Sequence, residues 1–151
     1  MRRPHFLTLA GCLLAVLALL PALPALAASS VRSGELVVHY NAMPTTRLAP
    51  DVARQYGITR SANRALVNIS IRRGTPGADR AVPGKVSVAA TNLNGQRSVL
   101  RVREVRESNA IYYLAEARVS GHDTLRFEVE VMAEGASAPV KASFRQEFFV
   151  E

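Results

Sequence analysis

Cysteine, tryptophan and histidine are scarce in this sequence. Its 151 residues include one Cys, no Trp and three His. A single Cys excludes a disulfide framework, a cysteine-rich zinc site and haem attachment through paired cysteines. No glycine-rich phosphate-binding loop follows any predicted strand, so the common nucleotide-binding motifs are missing too. We therefore predict a protein without a metal, a cofactor or a bound nucleotide.

Residues 1–27 have the pattern of an export signal. Arg2 and Arg3 precede an uncharged apolar run over residues 6–20, which ends at Pro21, and Ala25-Leu26-Ala27 supplies the small residues that signal peptidase recognises. The run is shorter than the roughly 20 apolar residues of a spanning helix. We predict cleavage near Ala27, a periplasmic location and no transmembrane span.

Cys12 gives the leader a second interpretation. Leu9-Ala10-Gly11-Cys12 is similar to a bacterial lipobox, and lipidation of Cys12 would tether the domain to a membrane. Only residues 6–8 separate the basic start from this motif, and the sequence stays apolar after it. A lipoprotein has a longer apolar region before the cysteine and turns polar after it. Cleavage near Ala27 is therefore the favoured interpretation.

The remaining segment, residues 28–151, is long enough to form one domain with its own core. Removing Arg2 and Arg3 from the 19 basic residues leaves 17 against 12 acidic ones, a formal charge of +5. Export removes nucleic acid as a partner, and no exposed aromatic platform interleaves with the positive charges. We predict a basic single domain that does not bind nucleic acid.

Most of this domain alternates apolar and polar residues with the period of two that β-strands have. Asn94-Gly95 between two such segments predicts a type I′ hairpin. Short connections favour antiparallel neighbours, and we predict a seven-stranded immunoglobulin-like or fibronectin-like sandwich, with a small barrel as the alternative. The predicted strands are residues 35–42, 64–73, 85–91, 98–106, 110–119, 124–133 and 140–150.

One connection, between the first two predicted strands, is longer than a hairpin requires. Pro50 at a first helical position, Asp51 in the first turn and Gly57 after the end predict a helix of about two turns. Val52 and Tyr56 would share its buried side. We expect this insertion to lie across one end of the sandwich, and long connections often carry function.

Arginines surround the predicted helix, and only one acid, Asp51, lies among them. The planar guanidinium group suits carboxylate and phosphate ligands, so an anionic small molecule or a lipid headgroup could bind here. A solvated arginine-rich face without function is the alternative. The candidate binding surface combines these arginines with neighbouring polar residues of the same segment: His39, Asn41, Arg47, Arg54, Tyr56, Arg60 and Arg64.

Catalytic motifs are not found. His39 and His122 are the histidines of the predicted domain, and no G-x-S-x-G or H-E-x-x-H motif accompanies them. A hydrolase with an unrecognised site remains an alternative. At the end of the chain, Phe148 and Phe149 point to opposite faces of the last predicted strand, so Phe149 either contacts a partner or lies under the inserted segment.

The stretch from His39 to Ile71 resembles a known family. His39-Tyr40-Asn41-Ala42, then residues 48–61 and then residues 65–71, are similar to small exported proteobacterial proteins of the domain of unknown function 4426 family. This resemblance covers the whole predicted domain. It implies an immunoglobulin-like sandwich in the periplasm and assigns no catalytic residue.

These observations favour a non-enzymatic module of the cell envelope. We expect it to bind a protein or peptide through the 39–64 segment or through an exposed strand edge, since sheet edges can accept an extended peptide as an added strand. The anionic-ligand site and the hydrolase remain the alternatives.

Overall fold

The computed structural model describes residues 29–149, which are almost entirely β-structure. Its helical elements are a single 3-10 turn (Thr45–Arg47) and α1 (Pro50–Gln55). The strands are β1 (Ser29–Ser33), β2 (Leu36–Pro44), β3 (Arg64–Arg73), β4 (Arg80–Ala81), β5 (Gly84–Thr91), β6 (Arg97–Leu100), β7 (Val102–Glu107), β8 (Ala110–Arg118), β9 (Asp123–Ala133) and β10 (Val140–Phe148).

Two antiparallel sheets form a sandwich, as predicted. Sheet A has the order β1-β2-β3-β8-β7, with the short β4 beside β3, and sheet B has the order β10-β9-β5-β6. Alternate side chains of both sheets fill one core, in which Val67, Ile69 and Ile71 of β3 and Phe127 and Val131 of β9 are almost completely buried. Burying each such side chain contributes roughly 1.5–3 kcal/mol. The period-two pattern in the sequence is the direct consequence of this two-layer packing.

The predicted strand over residues 98–106 is two strands. β6 pairs with β5 in sheet B, whereas β7 pairs with β8 in sheet A. Leu100 and Val102 both pack against the core, and the exposed Arg101 between them is where the chain changes sheet. The alternating pattern continues through this crossing because both strands face the same core. The prediction therefore missed the break, and it also missed β1 and β4.

A hydrogen bond network ties the two sheets together on this crossing side. The backbone N–H of Gly84 on β5 donates to the hydroxyl of Tyr113 on β8, at 2.8 Å. That hydroxyl donates to Glu104 Oε2 on β7, at 3.0 Å. A Cβ on Gly84 would lie 2.7 Å from the carbonyl oxygen of Met132. Glycine is thus the residue that lets β5 approach β9 so closely at this point.

The turn between β5 and β6 differs from the prediction. Of Asn94 and Gly95, only Gly95 has a positive φ, 79°. The N–H of Gly95 donates to the carbonyl of Asn92, at 3.0 Å, and the side-chain oxygen of Asn92 accepts from the N–H groups of Asn94 and Gln96. A five-residue loop with one left-handed glycine replaces the two-residue type I′ turn, because Asn92 supplies the hydrogen bonds that close it.

The predicted helix is confirmed, but its position is not at the end of the sandwich. α1 has Pro50 in its first turn and is followed by Gly57 with φ of 60°. It packs on the outer face of sheet A, where Ala53 and Ile58 form a second apolar cluster with Leu66 of β3 and Leu114 of β8. Because Leu66 and Leu114 point outward from sheet A, the apolar side of the inserted segment packs over them. Ala53, rather than Val52 or Tyr56, is its most buried residue.

Thr45 fixes the other end of the inserted segment. Its side chain is completely buried, and its hydroxyl accepts a hydrogen bond from the N–H of Ser61, at 2.9 Å, and donates to the carbonyl of Ser61, at 3.0 Å. Arg60 Nη2 donates to the carbonyl of Thr46, at 2.8 Å. The two ends of the insertion are therefore clamped together, which holds the 3-10 turn at the end of β2.

The predictions for the export signal, cleavage near Ala27 and Cys12 lie outside the described residues, as does Val150 at the end of the last predicted strand. Between residues 29 and 149, no helix has the length and apolarity needed to cross a membrane.

Candidate functional site

A cleft opens along the side of the sandwich where β2 and β10 approach each other. It is bordered by β1, by the last residues of β2, by Arg47 of the 3-10 turn and by the middle of β10, and its volume is about 360 Å³. We call it the edge cleft; its lining residues are Ser29, Tyr40, Asn41, Ala42, Met43, Pro44, Arg47, Phe144, Arg145 and Gln146.

Aromatic rings form the apolar wall of the edge cleft. The rings of Tyr40 and Phe144 stack with centroids 4.8 Å apart, and Phe144 in turn stacks on Phe127 at 5.1 Å. Phe127 is completely buried, so it anchors this stack in the core. Offset stacked pairs of this kind are worth about 0.5–1.5 kcal/mol beyond the area that they bury. Tyr40 and Phe144 are therefore held rigidly at the cleft.

Two strand edges meet in the edge cleft. β1 pairs with β2 only from Leu36 to Tyr40, so within residues 29–149 the segment from Asn41 to Pro44 lacks a strand on that side. β10 pairs with β9 and is the last strand of sheet B. Backbone N–H and C=O groups along such edges are available to an added strand.

Positive charge surrounds the edge cleft. Arg47 and Arg145 line it and are both exposed, and the lining contains no acidic residue. In the described part of the chain, neither arginine has a carboxylate within 4 Å. Guanidinium groups without a partner attract carboxylates.

A second hollow, the end hollow, continues from the edge cleft on the far side of Arg47. It has a volume of about 580 Å³ and is lined by Arg47, by the end of β10 and by Phe149, which follows β10. Phe148 is buried and Phe149 is 64% exposed, so the two rings do lie on opposite faces. Phe149 packs on His122 with ring centroids 4.5 Å apart, and His122 Nε2 lies 2.6 Å from Glu147 Oε1.

A third opening, the helix groove, lies between α1 and the outer face of sheet A. Its volume is about 250 Å³, and its lining is Met43, Leu48, Val52, Tyr56, Ile58, Leu66, Asn68, Glu107, Tyr112 and Leu114. Glu107 accepts hydrogen bonds from Tyr56 and from Gln55 Nε2, the latter at 3.0 Å. The hydrogen bond to the Glu107 carboxylate raises the pKa of Tyr56, and desolvation adds to the shift.

The structure separates the four arginines of the predicted surface. Arg47 lines the edge cleft, and Arg60 is held by the Thr46 carbonyl. Arg64 Nη1 lies 2.9 Å from Glu116 Oε2, in an ion pair between β3 and β8. Arg54 is exposed on α1. Because they point to different surroundings, these arginines do not form one common pocket among the described residues.

The other predicted residues lie on the outer face of sheet A or beside it. In the β2–β3 strand pair, His39 lies opposite Ser70, and Asn41 lies opposite Asn68. The pKa of Asp79 is lowered mainly by the hydrogen bond from Arg72, and the charge of His39 lowers it further. His122 lies in the turn before β9, against β10, so the two histidines contact different partners.

Sequence reasoning missed the β10 side of the edge cleft. Tyr40, Phe144, Arg145 and Gln146 come from strands far apart in the sequence, and each fits an ordinary alternating strand pattern. Only the pairing order of the strands brings them together.

Among residues 29–149 there is no group of three or more His, Cys, Asp or Glu side chains placed to hold a metal ion.

Comparison with known proteins agrees with the sandwich and its inserted helix. Residues 30–151 match the family model described as domain of unknown function (DUF4426). The chain belongs to this family. A DUF4426 family protein from Pseudomonas aeruginosa PAO1 has a similar crystal structure, with a TM-score of 0.69 and 33% identity over 82% of this chain and 95% of that chain. The DUF4426 assignment confirms the family resemblance of the 39–71 stretch.

FetP from uropathogenic Escherichia coli strain F11 is a more distant structural neighbour. The protein isolated after expression in the periplasm of E. coli gives a TM-score of 0.57 and 12% identity over 80% of this chain and 93% of that chain. A copper-bound variant of FetP gives a TM-score of 0.57 and 12% identity over 81% of this chain and 95% of that chain. At this identity the likeness shows the fold alone. No curated protein matches the chain.

Proposed function

We propose that this protein is a non-enzymatic module of the bacterial cell envelope that binds an extended, acidic peptide segment of a partner protein. The peptide adds as a strand in the edge cleft. The observation that carries this proposal is the meeting of two strand edges, at Asn41–Pro44 and on β10, beside a rigid aromatic wall. An added strand gains backbone hydrogen bonds, and pockets for alternate side chains provide selectivity.

The charge of the cleft supports an acidic partner. Arg47 and Arg145 flank the opening, and the predicted domain carries a net positive charge. Complementary charge accelerates association and discriminates against basic partners more than it adds affinity. Location in the envelope rests on the predicted export signal of residues 1–27, and the copper of FetP is not carried over to this chain.

The experiment compares two synthetic peptides, one alternating valine with glutamate and one alternating valine with lysine. Binding of the valine–glutamate peptide should slow amide hydrogen exchange at Asn41–Met43 and along residues 144–146, because a strand ladder protects those amides. The lysine peptide should bind more weakly. Arg47→Gln should weaken binding of the glutamate peptide about two- to fivefold, mainly through slower association, because Arg47 is exposed.

The control variant is Arg54→Gln, which removes one arginine of the inserted segment outside the cleft and should leave peptide affinity unchanged. Unchanged exchange at both strand edges would overturn strand addition. If free acetate or phosphate protects the protein as well as the peptide does, the cleft is an anion or headgroup site instead. In cells, a photo-crosslinking residue at position 146 should capture an envelope protein, whereas one at position 132 on the outer face of sheet B should not.

A further inference from the structure

The helix groove is a second site, independent of the edge cleft. Leu66 of β3 and Leu114 of β8 form its floor, and Val52 of α1 and Tyr56, which follows α1 directly, form its wall. Binding sites of this type are mostly apolar with a few convergent polar groups. Its volume of about 250 Å³ lies just below the roughly 300–1,000 Å³ of sites for drug-sized ligands. A ligand of a few heavy atoms matches this space.

The strand pair beside the groove holds two buried side-chain oxygens without donors. Asn68 lines the groove, and its side-chain oxygen is buried with no hydrogen bond partner in the described part of the chain. The oxygen of Asn41, directly across the strand pair, is in the same state, but Asn41 lines the edge cleft. Because both oxygens are closed to solvent, a ligand in the groove is selected by the other groups that line it.

The charge of the groove has the opposite sign to that of the protein. Glu107 is the one ionised residue of the lining, and within residues 29–149 no Lys or Arg lies within 4 Å of its carboxylate. Tyr56 and Gln55 donate to it without neutralising its charge. The rings of Tyr56 and Tyr112 border the same space. Aromatic faces and a carboxylate both attract cations.

We propose that the helix groove binds a small organic cation, a primary ammonium group carried on a short apolar body. An ammonium group is a cation with three donors and no acceptor, which matches the Glu107 carboxylate and the neighbouring tyrosine rings. The apolar body would lie against Leu66 and Leu114. A carboxylate ligand would be repelled by Glu107, and a neutral alcohol would supply a single donor without charge.

The test uses three probes of similar size with the purified protein: hexylammonium, hexanol and hexanoate. Calorimetry and methyl shifts of Leu66 and Leu114 report binding. Hexylammonium should bind saturably and more tightly than hexanol, and hexanoate should not bind. Glu107→Gln should weaken hexylammonium about tenfold, as expected for one charge-assisted hydrogen bond, and leave hexanol unchanged. Glu130→Gln, an exposed acid on sheet B, is the matched control and should have no effect.

Equal binding of the three probes, no saturable binding of hexylammonium, or unchanged affinity in Glu107→Gln would each overturn the proposal. The peptides of the edge cleft test other residues, so one site can fail without the other.

Discussion

The two sides of the sandwich are joined in different ways. On one side the chain itself crosses from sheet B to sheet A at Arg101, and the Gly84–Tyr113–Glu104 hydrogen bonds connect the sheets. On the other side, β10 and the end of β2 meet through the stacked rings of Tyr40 and Phe144. β6 and β7, which are also the last strands of their sheets, are connected covalently at that crossing, whereas β2 and β10 meet only through side chains. The difference indicates where binding can occur without unfolding the core.

The largest expected effect comes from Phe144→Ala, which removes the contact that joins the sheets on the accessible side. Replacing a fully buried Phe with Ala lowers the free energy of unfolding by about 3–5 kcal/mol. Phe144 is half-buried, so we expect a loss of about 2 kcal/mol. Urea unfolding measures this change. Phe149→Ala, at an exposed ring, should cost less than about 0.5 kcal/mol. Equal losses in the two variants would contradict the role of the Tyr40–Phe144 stack.

Tyr113→Phe tests the crossing side. It leaves the N–H of Gly84 without its acceptor, and a buried donor without a partner costs about 1–3 kcal/mol. We expect a loss of about 1–2 kcal/mol in the free energy of unfolding. Tyr112→Phe, one residue earlier and on the outer face, should change stability much less. If Tyr112→Phe lowers the free energy of unfolding as much as Tyr113→Phe does, the Gly84–Tyr113–Glu104 network is not what joins the sheets on the crossing side.

Stability at low pH should also report on the crossing side. The pKa of Glu104 is lowered mainly by the hydrogen bond from Arg106 and further by that from Tyr113. Because the folded-state pKa lies below the unfolded one, this stabilisation is present above the unfolded pKa and is lost as the pH falls through the folded pKa.

Glu104→Gln should therefore be less stable than the natural protein at neutral pH, and its stability should fall less steeply between about pH 6 and pH 3. Urea midpoints across this range measure the slope. Some slope should persist, since the pKa of Asp79 is lowered by Arg72. Parallel pH profiles for the two proteins would show that Glu104 contributes nothing to acid sensitivity.

The smallest expected effect on stability concerns the arginines of the accessible side. Arg47→Gln and Arg145→Gln should each change the free energy of unfolding by less than about 0.5 kcal/mol, because both side chains are exposed and lack an ion-pair partner in the described residues. The same variants should weaken binding of the valine–glutamate peptide. A large loss of stability instead would assign these arginines to the fold.

Much of the fold follows from local patterns. The alternating segments predicted β2, β3, β5, β8, β9 and β10, and Pro50 with Gly57 predicted α1. The crossing at Arg101 was not predictable from alternation, because Leu100 and Val102 face one core from two different sheets. The position of α1 was also missed. Its place depends on the outward Leu66 and Leu114, which come together only when β3 pairs with β8.

The candidate site was predicted less well than the fold. Asn41 and Arg47 belong to the edge cleft, but Arg60 and Arg64 are engaged by Thr46 and Glu116. Clustering in the sequence overstated the proximity of the arginines in space, because they lie on a 3-10 turn, on α1, on the loop after α1 and on β3, and so point in different directions. Phe144 and Arg145 carried no distinguishing pattern.

By itself, the sequence determined that alternate apolar side chains are buried between two sheets and that one short helix interrupts them. This holds because burial of apolar surface depends on periodicity, which is local. Only the tertiary structure decided which strands become neighbours, and hence that β2 and β10 leave adjacent edges and that Asn68 and Glu107 share one groove. Those juxtapositions join residues far apart in the chain, and no local preference specifies them.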